Sequence, residues 1–128
     1  MLVSKINPPA TKIMQNNPFA TTTITGEYMT VVCTKYVIGA IPDSFNDDSV
    51  FLVKFGNIKY ELKPDGSQGN PMLDIIVAHR LTMKQAELST WNSDDTILHE
   101  LVIQKLNSIN GSNIQIVSQE TMNMQHTA

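Results

Sequence analysis

The side chains best suited to chemistry are three histidines and one cysteine, and their spacing does not assemble a metal or catalytic set. His99-Glu100 matches the start of a zinc-binding helix pattern, which needs a second histidine one turn later so that two imidazoles share a face. Ile103 stands at that position, so the pattern fails. We expect His99 to be partly exposed on a helix. We expect His79 to be a hydrogen-bonded core or interface residue on a strand.

Two loops and the single cysteine also lack the residues that a calcium site, a phosphate-binding loop or a reactive thiol requires. The segment Asp43–Asp48 is acidic but lacks the central glycine and final glutamate of a calcium loop, so it indicates a solvated turn. Gly66-Ser67-Gln68-Gly69 is followed by Asn70-Pro71 rather than by lysine, which excludes a phosphate-binding loop. Cys33 has no histidine beside it to lower its pKa, and we expect a buried, inert thiol.

Dispersed carboxylates are the remaining route to an enzyme. Four of them could converge in a folded chain, namely Glu27, Glu61, Asp74 and Glu87. Nothing in their spacing selects them, and nothing places them beside His79. We therefore expect a protein that is not an enzyme and that uses no cofactor and no metal.

Lysines interleaved with aromatic side chains suggest binding of single-stranded nucleic acid. Lys54, Lys59 and Lys63 alternate with Phe55 and Tyr60, and small β domains bind single strands with such cations and stacking platforms. Against this, the formal net charge is −3 and the chain contains a single arginine. Nucleic-acid binding is therefore an alternative, and we expect nucleic acid not to be the main partner.

The chain is predicted to form one domain between two extended ends. Residues 1–23 contain Pro8, Pro9 and Pro18 and apolar side chains without a period, which indicates an extended N-terminal arm. Residues 24–118 are predicted to form a single α+β domain. Residues 119–128 are polar and without a period, which is typical of a flexible tail.

The domain is predicted to be a mainly antiparallel sheet of about five strands. Strands are predicted over 28–38, 50–55, 58–63, 73–82 and 113–118. Gly56-Asn57 is predicted to be the turn of a hairpin, with Tyr60 and Leu62 pointing inward. One C-terminal amphipathic helix over about 93–108 is predicted to pack on one face of the sheet.

The predicted sheet carries more apolar surface than this helix can cover. A helix covers a strip about 10 Å wide, whereas the outer axes of five strands lie roughly 19 Å apart. Uncovered apolar surface marks interaction sites on soluble proteins. We therefore predict contact residues on the arm and on the second face of the long strand, namely Ile6, Ile13, Phe19, Tyr28, Val32 and Tyr36.

Composition points to an assembly protein. Only 16% of the residues are charged, whereas Asn, Gln, Ser and Thr make up 39 of the 128. The sequence shows no secretion signal and no membrane span, so we expect synthesis in the cytoplasm and no membrane partner. These features are typical of virion subunits, above all bacteriophage capsid, decoration, neck or tail proteins, with copies of the chain or other virion proteins as partners. A phage-encoded inhibitor of a host protein is a further possibility.

Overall fold

Five strands and one α-helix are seen in a computed structural model that describes residues 1–36 and 48–123. The elements are β1 (Leu2–Asn17), β2 (Ala20–Lys35), β3 (Ser49–Leu62), β4 (Gln68–Met83), a 3₁₀ turn (Gln85–Leu88), α1 (Asp95–Asn110) and β5 (Gln115–Thr121). All neighbouring strands are antiparallel, in the order β4-β3-β2-β1-β5. The predicted α+β class, with five antiparallel strands and one C-terminal helix, is confirmed.

The segment predicted to be an N-terminal arm forms strands instead. β1 lies inside the sheet, between β2 and β5. Its register with β2 is irregular between Lys5 and Ala10, and Pro8 and Pro9 fall in that stretch. Proline lacks an amide donor, and it is tolerated there because the strands form no regular ladder of hydrogen bonds. The Asn7–Pro8 peptide bond is cis, and Pro18 lies in the turn before β2. A domain boundary at residue 24 is therefore wrong, because β2 runs through it.

The predicted hairpin at Gly56-Asn57 is one continuous strand. β3 pairs with β4 on both sides of Gly56, with a register shift between Phe55 and Gly56. A Cβ atom on Gly56 would lie 2.0 Å from the carbonyl oxygen of Asp74, so glycine is needed for a close approach of β4 and not for a turn. The actual β3–β4 turn follows Lys63, which accepts a backbone hydrogen bond from Gly66.

The ends of the domain also differ from the prediction. Residues 119–121 belong to β5, and Thr121 pairs with Leu2, so this part of the expected tail is in the sheet. Residues 124–128 lie outside the described residues. The same holds for residues 37–47, which include the end of the predicted strand 28–38 and most of the acidic segment Asp43–Asp48.

The core joins α1 to one face of the sheet. Asp94 begins the helix by accepting a hydrogen bond from the Thr96 amide, and Gly111 ends it in a left-handed conformation. The buried cluster combines helix and sheet side chains: Leu98, Val102, Ile103 and Leu106 with Ile6, Met29, Phe51, Val53, Phe55, Leu81 and Met83. The alternation along β3, with buried residues at every second position from Ser49 to Phe55, shows which face carries this core.

Candidate assembly surface

The outer half of the β1–β2 hairpin projects from the sheet as a two-stranded ribbon. β5 accompanies β1 only as far as Asn7, and β3 accompanies β2 only from Tyr28 onward. Between Ala10 and Gly26 the two strands therefore pair only with each other. The ribbon is about 25 Å long, from roughly 3.4 Å per residue.

This ribbon, residues 10–26, presents apolar side chains to solvent along its length and at its far end. Phe19 is 98% exposed in the turn, and Ile13, paired with Thr23 about halfway along the ribbon, is 70% exposed. The turn is fixed by a 2.8 Å hydrogen bond from the Phe19 amide to Asn17 Oδ1, and Asn16 donates to the Thr22 hydroxyl. The exposed Phe19 is thus held in place at the end of an ordered turn.

A second hairpin end also exposes apolar groups. Tyr60 is 49% exposed and Leu62 is 77% exposed near the β3–β4 turn. The prediction that both point inward is wrong, because the core lies at the other end of β3, from Ser49 to Phe55. Five of the ten large exposed apolar side chains of the described residues thus lie on the outer parts of the two hairpins: Ile13, Met14, Phe19, Tyr60 and Leu62. The other five are Met1, Val32, Tyr36, Ile109 and Val117.

The predicted contact residues divide between core and surface. Ile6 is buried in the core cluster, which removes it from the contact set. Phe19 is exposed in the turn of the ribbon, and Ile13 is exposed about halfway along it. Tyr28 is half-buried, and Val32 and Tyr36 are exposed.

Tyr36 and Val32 lie at the end of β2 away from the ribbon. The Tyr36 ring contacts the Trp91 ring edge-on, with 5.0 Å between the centroids. Val32 pairs with Leu52 of β3, on the face opposite the core. Val32 and Tyr36 therefore face opposite sides of the sheet and lie apart from the ribbon, so the structure does not bring the predicted contact residues together.

The burial of His99 and His79 is the reverse of the prediction. His99 is 1% exposed, and its Nδ1 lies 2.6 Å from the Ser4 hydroxyl oxygen. Gln119 of β5 donates to Ser4 Oγ at 3.4 Å and to the Thr96 carbonyl at 3.2 Å, so β1, α1 and β5 meet here. Burial lowers the pKa of His99 to about 4, against the opposing effect of Asp95. His79, by contrast, is exposed.

An open groove of about 420 Å³ lies beside the base of the ribbon. Its walls include Pro8 and Pro9 of β1, Phe55 of β3, His79 of β4 and Leu106 of α1. The lining is mainly apolar, and His79 is the one titratable side chain among the residues that form it. The groove therefore offers no cluster of groups for acid–base chemistry.

The lysines of the nucleic-acid alternative do not form one cationic surface. Lys59 forms an ion pair with Asp74 at 2.8 Å. Lys54 is half-buried between Thr30 and Ala78, whereas Lys63 is exposed beyond the end of β3. Lys54 and Lys59 also point to opposite faces of β3, because they are an odd number of residues apart.

The remaining candidate groups are dispersed. Asp74 and Glu87 belong to separate ion pairs, with Lys59 and Lys105. Over residues 1–36 and 48–123, no three histidine, cysteine or acidic side chains are placed to hold a metal ion.

Cys33 is exposed, contrary to the expected burial, because β2 projects beyond the core at that end. Desolvation raises the pKa of its thiol.

Within the part of the chain that the structure describes, no helix has the length and apolar content needed to cross a membrane. No protein-family model, no curated protein sequence and no solved structure matches this chain.

Proposed function

We propose that this chain is a non-enzymatic structural subunit of a virion, of the bacteriophage kind. It assembles with copies of itself or docks on other capsid, decoration, neck or tail proteins. The observation that carries the proposal is the projecting ribbon of residues 10–26, with Phe19 exposed in its turn and Ile13 exposed about halfway along it. Virion identity is inferred from composition, and assembly from geometry.

The ribbon supports assembly because it is costly to maintain in isolation. A lone two-stranded hairpin is marginally stable in water, and here both faces of residues 11–23 are exposed. Burying the Phe19 and Ile13 side chains on a partner would contribute about 2 kcal/mol each. A neighbouring subunit would therefore supply the packing that the ribbon lacks in the protomer.

Composition supports the same conclusion at the level of the surface. Charged groups are depleted at the centres of protein interfaces, and only 16% of this chain is charged. The ribbon follows this trend, since Lys12 is the single charged residue between Ala10 and Gly26. Its threonines favour extended strands and can form hydrogen bonds to a partner without introducing charge.

The test measures molecular mass by light scattering, with electron microscopy of the same sample. We expect the wild-type chain to form rings, tubes or shells whose mass rises with concentration. The double variant Ile13→Ser/Phe19→Ser should weaken assembly by about a thousandfold, since it removes about 4 kcal/mol of burial. Its circular dichroism should be unchanged, because both side chains are exposed.

A matched control is Leu62→Ser, which removes an equally exposed apolar side chain from the other hairpin. Assembly that is unaffected by the ribbon variant would overturn the role of the ribbon. A monomer at every concentration would overturn self-assembly. Steep, salt-dependent binding of a single-stranded oligonucleotide, lost on substitution of Lys54 and Lys59, would instead support the nucleic-acid alternative.

A further inference from the structure

The two edge strands of the sheet offer a second means of association. β4 and β5 are each paired on one side only, so each presents a row of backbone donors and acceptors outward. On β4, residues Val77–Met83 pair with β3 without a register shift, between the irregularity near Gly56 and the 3₁₀ turn. β5, Gln115–Thr121, has the same length of seven residues, and its pairing with β1 shifts register at Val117, so Ser118–Thr121 is its regular part. Neither segment contains proline, which would protect an edge.

The two edges carry single charges of opposite sign. Arg80 is the one charged residue of Val77–Met83, and Glu120 is the one charged residue of Gln115–Thr121. Both side chains are exposed, and within residues 1–36 and 48–123 neither forms an ion pair. Following the register across the sheet places both on the face opposite α1.

The direction of the strands determines how two copies can join. β1 and β3 run one way, so β2, β4 and β5 all run the other way. A neighbour rotated about an axis along the strands therefore brings its β4 beside β5 in parallel. When the two segments lie side by side with Met83 beside Thr121, Arg80 is two residues from Glu120 along the strands. Both side chains are on the same face, within reach of a long side chain.

The charge pattern also disfavours symmetric pairing of two β4 strands. Two β4 strands related by a two-fold axis at the centre of Val77–Met83 would place one Arg80 directly opposite the other. Like charges at opposed positions destabilise strand pairing. A heterologous β4–β5 contact avoids this, and repeated contacts of that kind generate rings or filaments.

We infer that β5 of one copy adds in parallel to residues 77–83 of β4 in the next copy, with Arg80 of one chain paired to Glu120 of the other. The occupant of each edge is thus a second copy of this chain, held by main-chain hydrogen bonds and by one charge pair that fixes the register. This inference rests on the proposed function, because it supplies a defined contact for self-assembly.

Charge reversal tests the contact. Arg80→Glu and Glu120→Arg should each weaken assembly by about tenfold or more, measured by light scattering as the concentration at half assembly. The double variant Arg80→Glu/Glu120→Arg restores opposite charges and should assemble within about threefold of wild type. Controls with the same charge changes away from both edges are Lys63→Glu and Glu100→Arg, both exposed. Circular dichroism verifies that each variant is folded.

The outcomes separate this inference from the proposed function. If wild type assembles, and the single reversals assemble equally well or the double variant does not recover, the β4–β5 contact is wrong while self-assembly stands. If wild type is a monomer at every concentration, self-assembly and this contact both fail. Recovery in the double variant, together with unchanged controls, supports the assignment.

Discussion

His99 is kept uncharged at neutral pH by its position between β1, α1 and β5. Its imidazole is buried beside the Ser4 hydroxyl, and burial lowers its pKa from 6.5 to about 4. A polar side chain in this place does more than fill space, because Ser4 and Gln119 extend the hydrogen bonding to the neighbouring strands. The sequence signal was misleading, since an isolated histidine after an apolar pair on a helix is compatible with either exposure or burial.

Acid should therefore destabilise the fold through His99. The unfolded chain binds a proton at this residue near pH 6.5, whereas the folded chain binds it only near pH 4. Its contribution is complete above pH 6.5 and is lost as the pH falls toward 4, by about 3 kcal/mol. Urea unfolding at pH 7, 5.5 and 4.5 measures this loss.

The matched variant is His99→Gln, which removes the titrating imidazole and should flatten the pH dependence across this window. A wild-type pH dependence that persists in His99→Gln would assign the effect to other groups.

Gly56 is the second residue whose local environment makes a sharp prediction. A Cβ atom there would lie 2.0 Å from the Asp74 carbonyl oxygen, a backbone atom that cannot move alone. Gly56→Ala should lower the free energy of unfolding by about 3 kcal/mol, measured by urea denaturation. Gly66→Ala is the comparison, because its Cβ would meet open space and only its positive φ opposes alanine, at a cost of about 1 kcal/mol. Equal losses in the two variants would contradict the close approach.

Among the elements, β2 and β3 separate where the ribbon begins, and Asn57 bridges the gap. Its side chain donates to the Thr25 carbonyl at 2.7 Å and accepts from the Glu27 amide at 3.3 Å, in place of main-chain pairing. Asn57→Ala should cost about 1–2 kcal/mol in the free energy of unfolding, for two hydrogen bonds. Asn70→Ala, at an exposed site, should change it by less than about 0.5 kcal/mol. Similar values for the two variants would show that the bridge does not stabilise the fold.

The helix and the strand content could be predicted because local signals and tertiary packing agree there. The predicted helix over about 93–108 is observed at Asp95–Asn110, where Asp94 caps its start and Gly111 ends it. Gly56 misled the prediction because glycine marks both turns and close backbone approaches, and only the position of Asp74 distinguishes them. β1 was missed because its prolines fall in an irregular stretch, which a pattern of alternation does not reveal.

The exposure of the proposed contact residues was predicted in part, for a physical reason. Three apolar residues belong to β1 or its turn and have similar local sequences, each near a proline or a polar amide. The structure exposes two of them, Ile13 and Phe19, and buries the third, Ile6. Burial depends on where β5 stops accompanying β1, at Asn7, and that limit is set by contacts between distant parts of the chain. Local sequence therefore identified the segment, whereas the distinction between its core end and its projecting end required the sheet register.

At the scale of the whole molecule, the sheet combines a packed body with a projecting ribbon, and these should differ in local stability. Amide hydrogens of residues 11–23 are shielded by one partner strand and no core, so in dilute protomers they should exchange rapidly. Amides of β3 between Ser49 and Phe55 lie between two strands beneath α1 and should exchange slowly. Hydrogen–deuterium exchange read by mass spectrometry measures both segments in one experiment.

Assembly should then slow exchange in the ribbon while leaving β3 unchanged. When Phe19 and Ile13 pack against a neighbour, the ribbon can open for exchange only after that contact is lost. Each 1.4 kcal/mol or so of contact free energy therefore slows exchange about tenfold. The Ile13→Ser/Phe19→Ser variant, at the concentration where wild type assembles, should retain the fast exchange of the protomer. Slowing confined to β4 and β5, with the ribbon still fast, would show that subunits join by their edges alone and that the ribbon serves a different partner.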